Sequence, residues 1–255
     1  MMPTELFSVG FCATILCYAC YSDLKTRTVS NKLWLLLLAV GLPLALYNGY
    51  RSGVPFLIGL GYSIGFTTLL AYLFFYLNLF GGADAKALMG IALLIPTNPL
   101  FAAPIPDPFP FAITTLFNGA MLSVLVFPLM FLYNVVKLPP SELRAHLGLA
   151  FVGYKRSIDT LASAKRTFQR LLHSYELDEE SGGETVRRAF VIRGLEIDED
   201  AIHELKTYHE QGKIGDAVWV TPGLPYMLFI TAGFFFAFFA GNLPFRIILA
   251  FLSSL

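Results

Sequence analysis

The chain has 255 residues, 56% of them hydrophobic and only 14% charged, with a formal net charge of zero. Soluble domains carry about 25% charged residues, so this composition, with a mean hydropathy of +0.63, excludes an ordinary soluble protein and reads as a polytopic α-helical membrane protein. The balanced charge leaves no electrostatic footprint for a nucleic-acid partner.

The charges are unevenly placed. Residues 137–222 hold 26 of the 36 Asp, Glu, Lys and Arg residues, and the other 169 residues hold ten. Six transmembrane spans are predicted, each near the ~20 apolar residues that a helix needs to cross a bilayer. Span one, 5–22, has no basic residue before it. Asp23 and Lys25 follow where a small-residue cleavage site would stand, so it reads as a retained helix and not a signal peptide. Spans two and three, 32–49 and 55–79, flank a short loop with Arg51. Span four, 85–101, opens directly after Gly81-Gly82-Ala83-Asp84. The loop 96–110 carries Pro96, Pro99, Pro104, Pro106, Pro108 and Pro110 and is expected to be extended. Span five is 109–136 and span six 223–252.

Between the last two spans lies a soluble insert. It begins at Pro139-Pro140, with Ser141 expected to cap a helix. Residues 141–176 have helical periodicity in two pieces broken near Gly153. The acidic run Asp178, Glu179, Glu180 and the turn Ser181-Gly182-Gly183 follow. Ala189–Ile192 and Ala217–Val220 read as strands, and Asp200–Gln211 as a helix between them. The expected organisation is a membrane domain over 1–136, a small α+β insert over 137–222, and a last membrane helix over 223–255.

Lys25, Arg27 and Lys32 lie between spans one and two, and Lys86 at the junction of spans three and four. Only Arg51 lies in a short loop on the opposite side. The positive-inside rule then puts the N-terminus outside and the insert in the cytoplasm. Span one ends at Asp23 and span four begins at Asp84, so both aspartates fall at the cytoplasmic face. A carboxylate at membrane depth is costly and marks a functional site by default. Two that meet can share a proton: the neutral acid polarises an amide carbonyl while the ionised partner activates water. The bland alternative is a pair of solvated helix ends, with Asp84 favoured at a helix N-terminus by the dipole. Gly81 and Gly82 are expected to give unusual backbone freedom beside Asp84.

Other patterns carry less. Gly61-Tyr62-Ser63-Ile64-Gly65 matches a serine-hydrolase elbow but lies mid-span, away from all four His residues, and reads as helix packing. His203-Glu204 lacks the second His of a zinc-protease motif. Cys12, Cys17 and Cys20 read as small packing residues, with Cys20 one turn before Asp23 and able to line the site. Arg246 is expected to snorkel outward, and Asp107 lies on the wrong side for the pair. No metal site or cofactor is expected.

The segment Tyr21-Ser22-Asp23-Leu24-Lys25-Thr26-Arg27-Thr28-Val29-Ser30-Asn31-Lys32-Leu33 resembles the first active-site segment of the type IV prepilin peptidases, and Gly81-Gly82-Ala83-Asp84-Ala85-Lys86 resembles their Gly-x-Gly-Asp segment. The six spans and the insert before the last one resemble the archaeal branch, the preflagellin (prearchaellin) peptidases. The sequence motifs cover about twenty residues and the topology the whole chain. This chain has Ala83 where the motif has Gly, and Ser30 where many members have Pro. The resemblance implies a membrane aspartic endopeptidase with Asp23 and Asp84 as its dyad. Gly81, Gly82, Ala83, Lys86, Asn31 and Cys20 would shape the site, Asn31 chiefly as the cap of span two and Lys86 chiefly by snorkelling. The implied substrate is a prearchaellin or prepilin-like precursor, cut between a short basic leader and an apolar helix at the cytoplasmic face. Because the chain starts at its first span, with no Cys-rich region before it, cleavage without methylation is expected.

Two other readings stand beside this one. A presenilin-like protease would carry Tyr-Asp and Pro-Ala-Leu, whereas this chain has Ser22-Asp23 and no Pro-Ala-Leu. A non-enzymatic assembly or transport protein would place its carboxylates nearer the bilayer midplane.

Overall fold

The structure is a computed structural model that describes residues 3–100, 107–163, 168–177 and 185–254. It is mostly helical, with one small sheet, and divides into two compact units: residues 1–124 with 225–255, and residues 125–224. Pro104, Pro106, Asp178–Glu180 and Ser181-Gly182-Gly183 lie outside the described residues.

The first unit is built from α1 (Pro3–Thr26), α2 (Asn31–Tyr76), α3 (Gly82–Leu94), α4 (Phe111–Val124), α10 (Tyr226–Ala240) and α11 (Leu243–Leu252). Among the described residues, three helical stretches are long and apolar enough to cross a membrane: Pro3–Thr26, Asn31–Tyr76 and Phe111–Lys137, the last running on into the second unit. Helix α2 is not one rod. Gly53 sits at φ +72°, ψ −162°, outside helical geometry, and divides it between expected spans two and three. A Cβ on Gly49 would lie 2.6 Å from the Leu57 side chain, so the chain folds back on itself there at a residue with no side chain.

Helix α3 is shorter than the expected span 85–101. It has 13 residues, about 20 Å at 1.5 Å per residue. It stops because Pro96 disfavours helical geometry at Ile95, which takes φ −138°, ψ 81°. Expected span six is also broken. Helices α10 and α11 meet at 55°, where Gly241 adopts φ +74° and Asn242 caps α11 by accepting from the Phe245 N–H at 3.1 Å. Buried Asn118 satisfies both sides of that break. It donates to Gly241 O at 2.8 Å and accepts from Leu243 N at 3.1 Å.

The core of this unit is apolar and held by close backbone approach. Cys12, Leu16, Leu37, Leu88, Ile91, Phe111, Met227, Ile230 and Phe234 form its buried centre. Gly233 of α10 packs so tightly on Thr115 O and Gly119 of α4 that neither glycine has room for a Cβ. Van der Waals packing of this kind is what associates helices in lipid. The glycines at 61 and 65 do not work this way, because a Cβ on either meets nothing within 4 Å. Ser63 between them makes the contact, donating to Ala92 O at 3.1 Å.

The second unit holds α5 (Val126–Lys137), α6 (Pro140–Ala145), α7 (Leu147–Val152), β1 (Tyr154–Ser157), α8 (Ile158–Ser163), β2 (Gln169–Leu177), β3 (Val186–Glu196), α9 (Glu199–Glu210) and β4 (Ala217–Pro222). The sheet is antiparallel in the order β1-β4-β2-β3. Alternation gives it two covered faces. Leu171, Val218 and Val220 pack with Ile158, Leu161 and Leu205, while Leu172 and Trp219 pack with Ala150, Phe131 and Leu149. The second expected helical piece is therefore mostly strand, because β1 and β2 find partners across β4 that a local pattern does not reveal. Pro139, not Ser141, takes the cap position of α6, with Pro140 inside its first turn.

Candidate active site

Asp84 is the third residue of α3 and is buried, at 8% exposure. Its Oδ2 accepts the Gly81 N–H at 3.0 Å. This is the backward half of a capping box: the side chain satisfies a donor that the helix start leaves open. Gly81 has φ −74° and ψ 157°, ordinary extended backbone, and Gly82 already belongs to the helix. The expected unusual backbone is therefore absent at both glycines. What Gly81 contributes is space, since a Cβ there would sit 3.2 Å from Asp84 Oδ2. Ala83 lies inside the helix, where alanine is the favoured residue, so it distorts nothing.

Asp23 lies near the end of α1 and is half-buried. The chain turns sharply after it. Arg27 ends the helix at φ +56°, its N–H bonded to Asp23 O at 2.9 Å, and its charge acts on the Asp23 carboxylate. The turn is cross-tied by Ser22 Oγ donating to Thr28 O at 2.8 Å and Thr26 Oγ1 donating to Ser22 O at 2.9 Å. Helices α1 and α3 pack against each other, and the Asp23 charge reaches Asp84.

The other expected residues gather unevenly around this pair. Lys86 Nζ donates to Asn31 Oδ1 at 2.7 Å, joining the first turns of α3 and α2. Asn31 is thus not the cap of α2. Ser30 is, accepting from Lys32 N at 3.3 Å, which gives the residue standing in place of proline a function of its own. Cys20 is buried near Asp23, and Thr231 of α10, whose hydroxyl donates to Met227 O at 2.8 Å, lies beside its thiol. Cys12 is buried and Cys17 exposed.

Arg246 does not simply point away. Its guanidinium donates to Ala240 O at 2.9 Å and closes the end of α10. Asp107 accepts from Thr114 at 2.8 Å and from Asn242 at 3.2 Å, in the polar cluster around the α10–α11 break. Among the described residues no three His, Cys, Asp or Glu side chains converge as a metal-binding group.

Sequence reasoning missed Tyr226, the first residue of α10. Its ring meets Phe80 at 5.2 Å, and the Asp84 charge reaches it. No motif marks this tyrosine, which lies 142 residues after Asp84 in the chain.

Two family models match in tandem. The type IV leader peptidase family matches residues 10–129, and the archaeal peptidase A24 C-terminus, type II, matches residues 145–243. Together the two matches run over most of the chain, and the likeness is to the type IV leader peptidases. It is 27% identical over 256 residues to a preflagellin peptidase of Methanococcus voltae, covering 95% of this chain and 98% of that one. It is also 27% identical to a preflagellin peptidase of Methanocaldococcus jannaschii, over 56% of this chain and 64% of that protein. A prepilin peptidase, EppA, of Methanothermobacter thermautotrophicus is 29% identical over 53% of this chain and 37% of its own length. The chain is accordingly a peptidase, and its apolar helices fit a membrane protein.

Proposed function

We propose that this peptidase is an aspartic endopeptidase of the membrane, with Asp23 and Asp84 as its dyad, and that it removes short basic leaders from prearchaellin or prepilin-like precursors. The observation that carries this reading is that α1 packs on α3, with Asp23 near the end of the one and a buried Asp84 in the first turn of the other, its Oδ2 already held by Gly81. The names of the relatives support the substrate class.

In the proposed reaction the pair shares one proton. The ionised carboxylate takes a proton from water as the oxygen attacks the scissile carbonyl. The neutral one gives its proton to the carbonyl oxygen, forming a tetrahedral diol. Collapse then breaks the C–N bond, and a proton returned from the dyad leaves with the new amine. No cofactor enters the balance. The position of Asp23 and Asp84 at helix ends suits a cut at the junction of a polar leader and an apolar helix.

The proposed topology is six spans with the N-terminus outside, the dyad and the insert in the cytoplasm, and the break at Gly53 as the turn between spans two and three. The positive-inside count supports it: four basic residues in the short loops of one side against one on the other.

The test is cleavage of a leader-bearing prearchaellin or prepilin by membranes containing wild type, Asp23→Asn or Asp84→Asn. Loss of cleavage in both variants at normal expression supports the dyad. Full cleavage by either one removes that aspartate from the mechanism.

A further inference from the structure

The segment that delivers Asp84 to the site is tied back onto the end of α2 by backbone bonds from residues 77 to 80, and Gly81, which follows, carries no side chain to fix it. Asn78 takes φ +55° after the end of α2, and the chain then runs through Leu79, Phe80 and Gly81 before α3 begins at Gly82. Glycine at position 81 gives the link more conformations than another residue would. The Gly81 N–H must nevertheless stay in place, because it is the donor that orients Asp84.

An aromatic stack adds a side-chain constraint just before Gly81. Phe80 lies against Phe74 edge-on, with ring centroids 5.0 Å apart and planes at 89°. On its other flank Tyr226 packs at 5.2 Å and 32°. Tyr226 is itself backed by Phe229 at 6.0 Å, one turn along α10. Phe80 is thus gripped between α2 and α10, and it is the residue immediately before Gly81. The backbone adds ties of its own: Leu79 N and Phe80 N both donate to Phe74 O, at 2.8 and 3.3 Å, and Asn78 N donates to Phe75 O at 3.0 Å.

We propose that Tyr226 is a positioning residue for Asp84: its ring clamps Phe80 against Phe74, and that grip holds the Gly81 N–H where it fixes the carboxylate. The inference deepens the two-aspartate reading and rests on it. Aromatic pairs are geometrically specific, and a misplacement of about 1 Å in a reacting group can cost on the order of 100-fold in rate. Helix α10, which carries neither aspartate, therefore sets the geometry of the dyad.

The test uses the purified full-length protein in detergent, with a leader-bearing prearchaellin as probe and two readouts. The first is cleavage kinetics of Tyr226→Phe, Tyr226→Leu, Phe80→Leu and the Tyr226→Leu/Phe80→Leu double variant, beside Asp84→Asn. The second is hydrogen exchange in the peptide containing Gly81. Tyr226→Phe keeps the ring and is expected to retain wild-type kcat within about threefold. Tyr226→Leu and Phe80→Leu are each expected to lower kcat about tenfold or more with KM unchanged. The double variant is expected to be no worse than either single, because both act through one clamp. Exchange at Gly81 should accelerate in the leucine variants and stay slow in Tyr226→Phe. Unchanged exchange at Gly81 in Tyr226→Leu overturns the proposal. So does a Tyr226→Phe variant as impaired as Tyr226→Leu, which would assign the effect to the hydroxyl. If Asp84→Asn remains fully active, the dyad reading fails, while the exchange readout still decides whether the clamp exists.

Discussion

Lys86 Nζ donates to Asn31 Oδ1 at 2.7 Å, across 55 residues of sequence. This bond joins the first turn of α3, two residues after Asp84, to the first turn of α2, eight residues after Asp23. Both side chains are exposed, so the bond is worth about 0.5–1 kcal/mol. Asn31→Ala and Lys86→Met should each lower precursor cleavage about two- to fivefold, and the double variant should fall no further than the worse single one. Independent, multiplying losses in the cycle would show that the two residues do not act as a pair.

The three residues before Asp84 should respond differently to the same small change. Gly81→Ala puts a Cβ 3.2 Å from Asp84 Oδ2 and should cut activity at least tenfold with little change in expression or melting temperature. Gly82→Ala meets only the Phe75 ring at an ordinary 3.8 Å, inside the first turn of a helix, and should leave activity within about twofold. Ala83→Gly should destabilise by roughly 1 kcal/mol without raising activity, since the position is helical. Parallel cleavage and thermal-unfolding measurements on the three variants check the ordering.

Helices α4 and α10 approach backbone to backbone. A Cβ on Gly119 would lie 2.6 Å from Phe229 O, and carbonyl backbone cannot move aside as a flexible side chain can. Gly119→Ala should cost about 1–3 kcal/mol, read as a lower melting temperature in detergent. Gly61→Ala and Gly65→Ala, with open space around both, should be silent in the same assay.

The second unit should weaken in acid through His173. Burial first, then the charges of Arg188 and His146, push this imidazole below its usual range. The unfolded chain therefore takes up the proton more readily than the folded one. Stability contributed by neutral His173 is full above about pH 6.5, the value of a free imidazole, and is lost as pH falls below it. Thermal unfolding of the full chain between pH 7.5 and 5 should show this slope, and His173→Gln should flatten it. An unchanged slope would assign the acid sensitivity to other groups.

Composition and the hydrophobic runs alone identify the membrane body. The concentration of charge over 137–222 marks the polar insert, and the two aspartate motifs stand out because a carboxylate beside an apolar run is energetically conspicuous. Helix α9 and strand β4 are legible because their periodicity is local. What escaped was set at a distance. Strands β1 and β2 look helical until β4 supplies their hydrogen bonds. Ser30 and Asn31 are adjacent polar residues, and only the approach of Lys86 decides that the first caps α2 while the second takes an inter-helix bond. The same holds for the site. The sequence by itself determined which carboxylates are available and that each sits where apolar helix meets polar chain, because burial cost and periodicity are properties of neighbouring residues. Only the tertiary structure decided that α1 packs on α3, that Gly81 is needed for space rather than for a rare backbone angle, and that Tyr226 stands against Phe80. Those facts depend on which helix faces touch, and contact between faces far apart in the chain leaves no local trace.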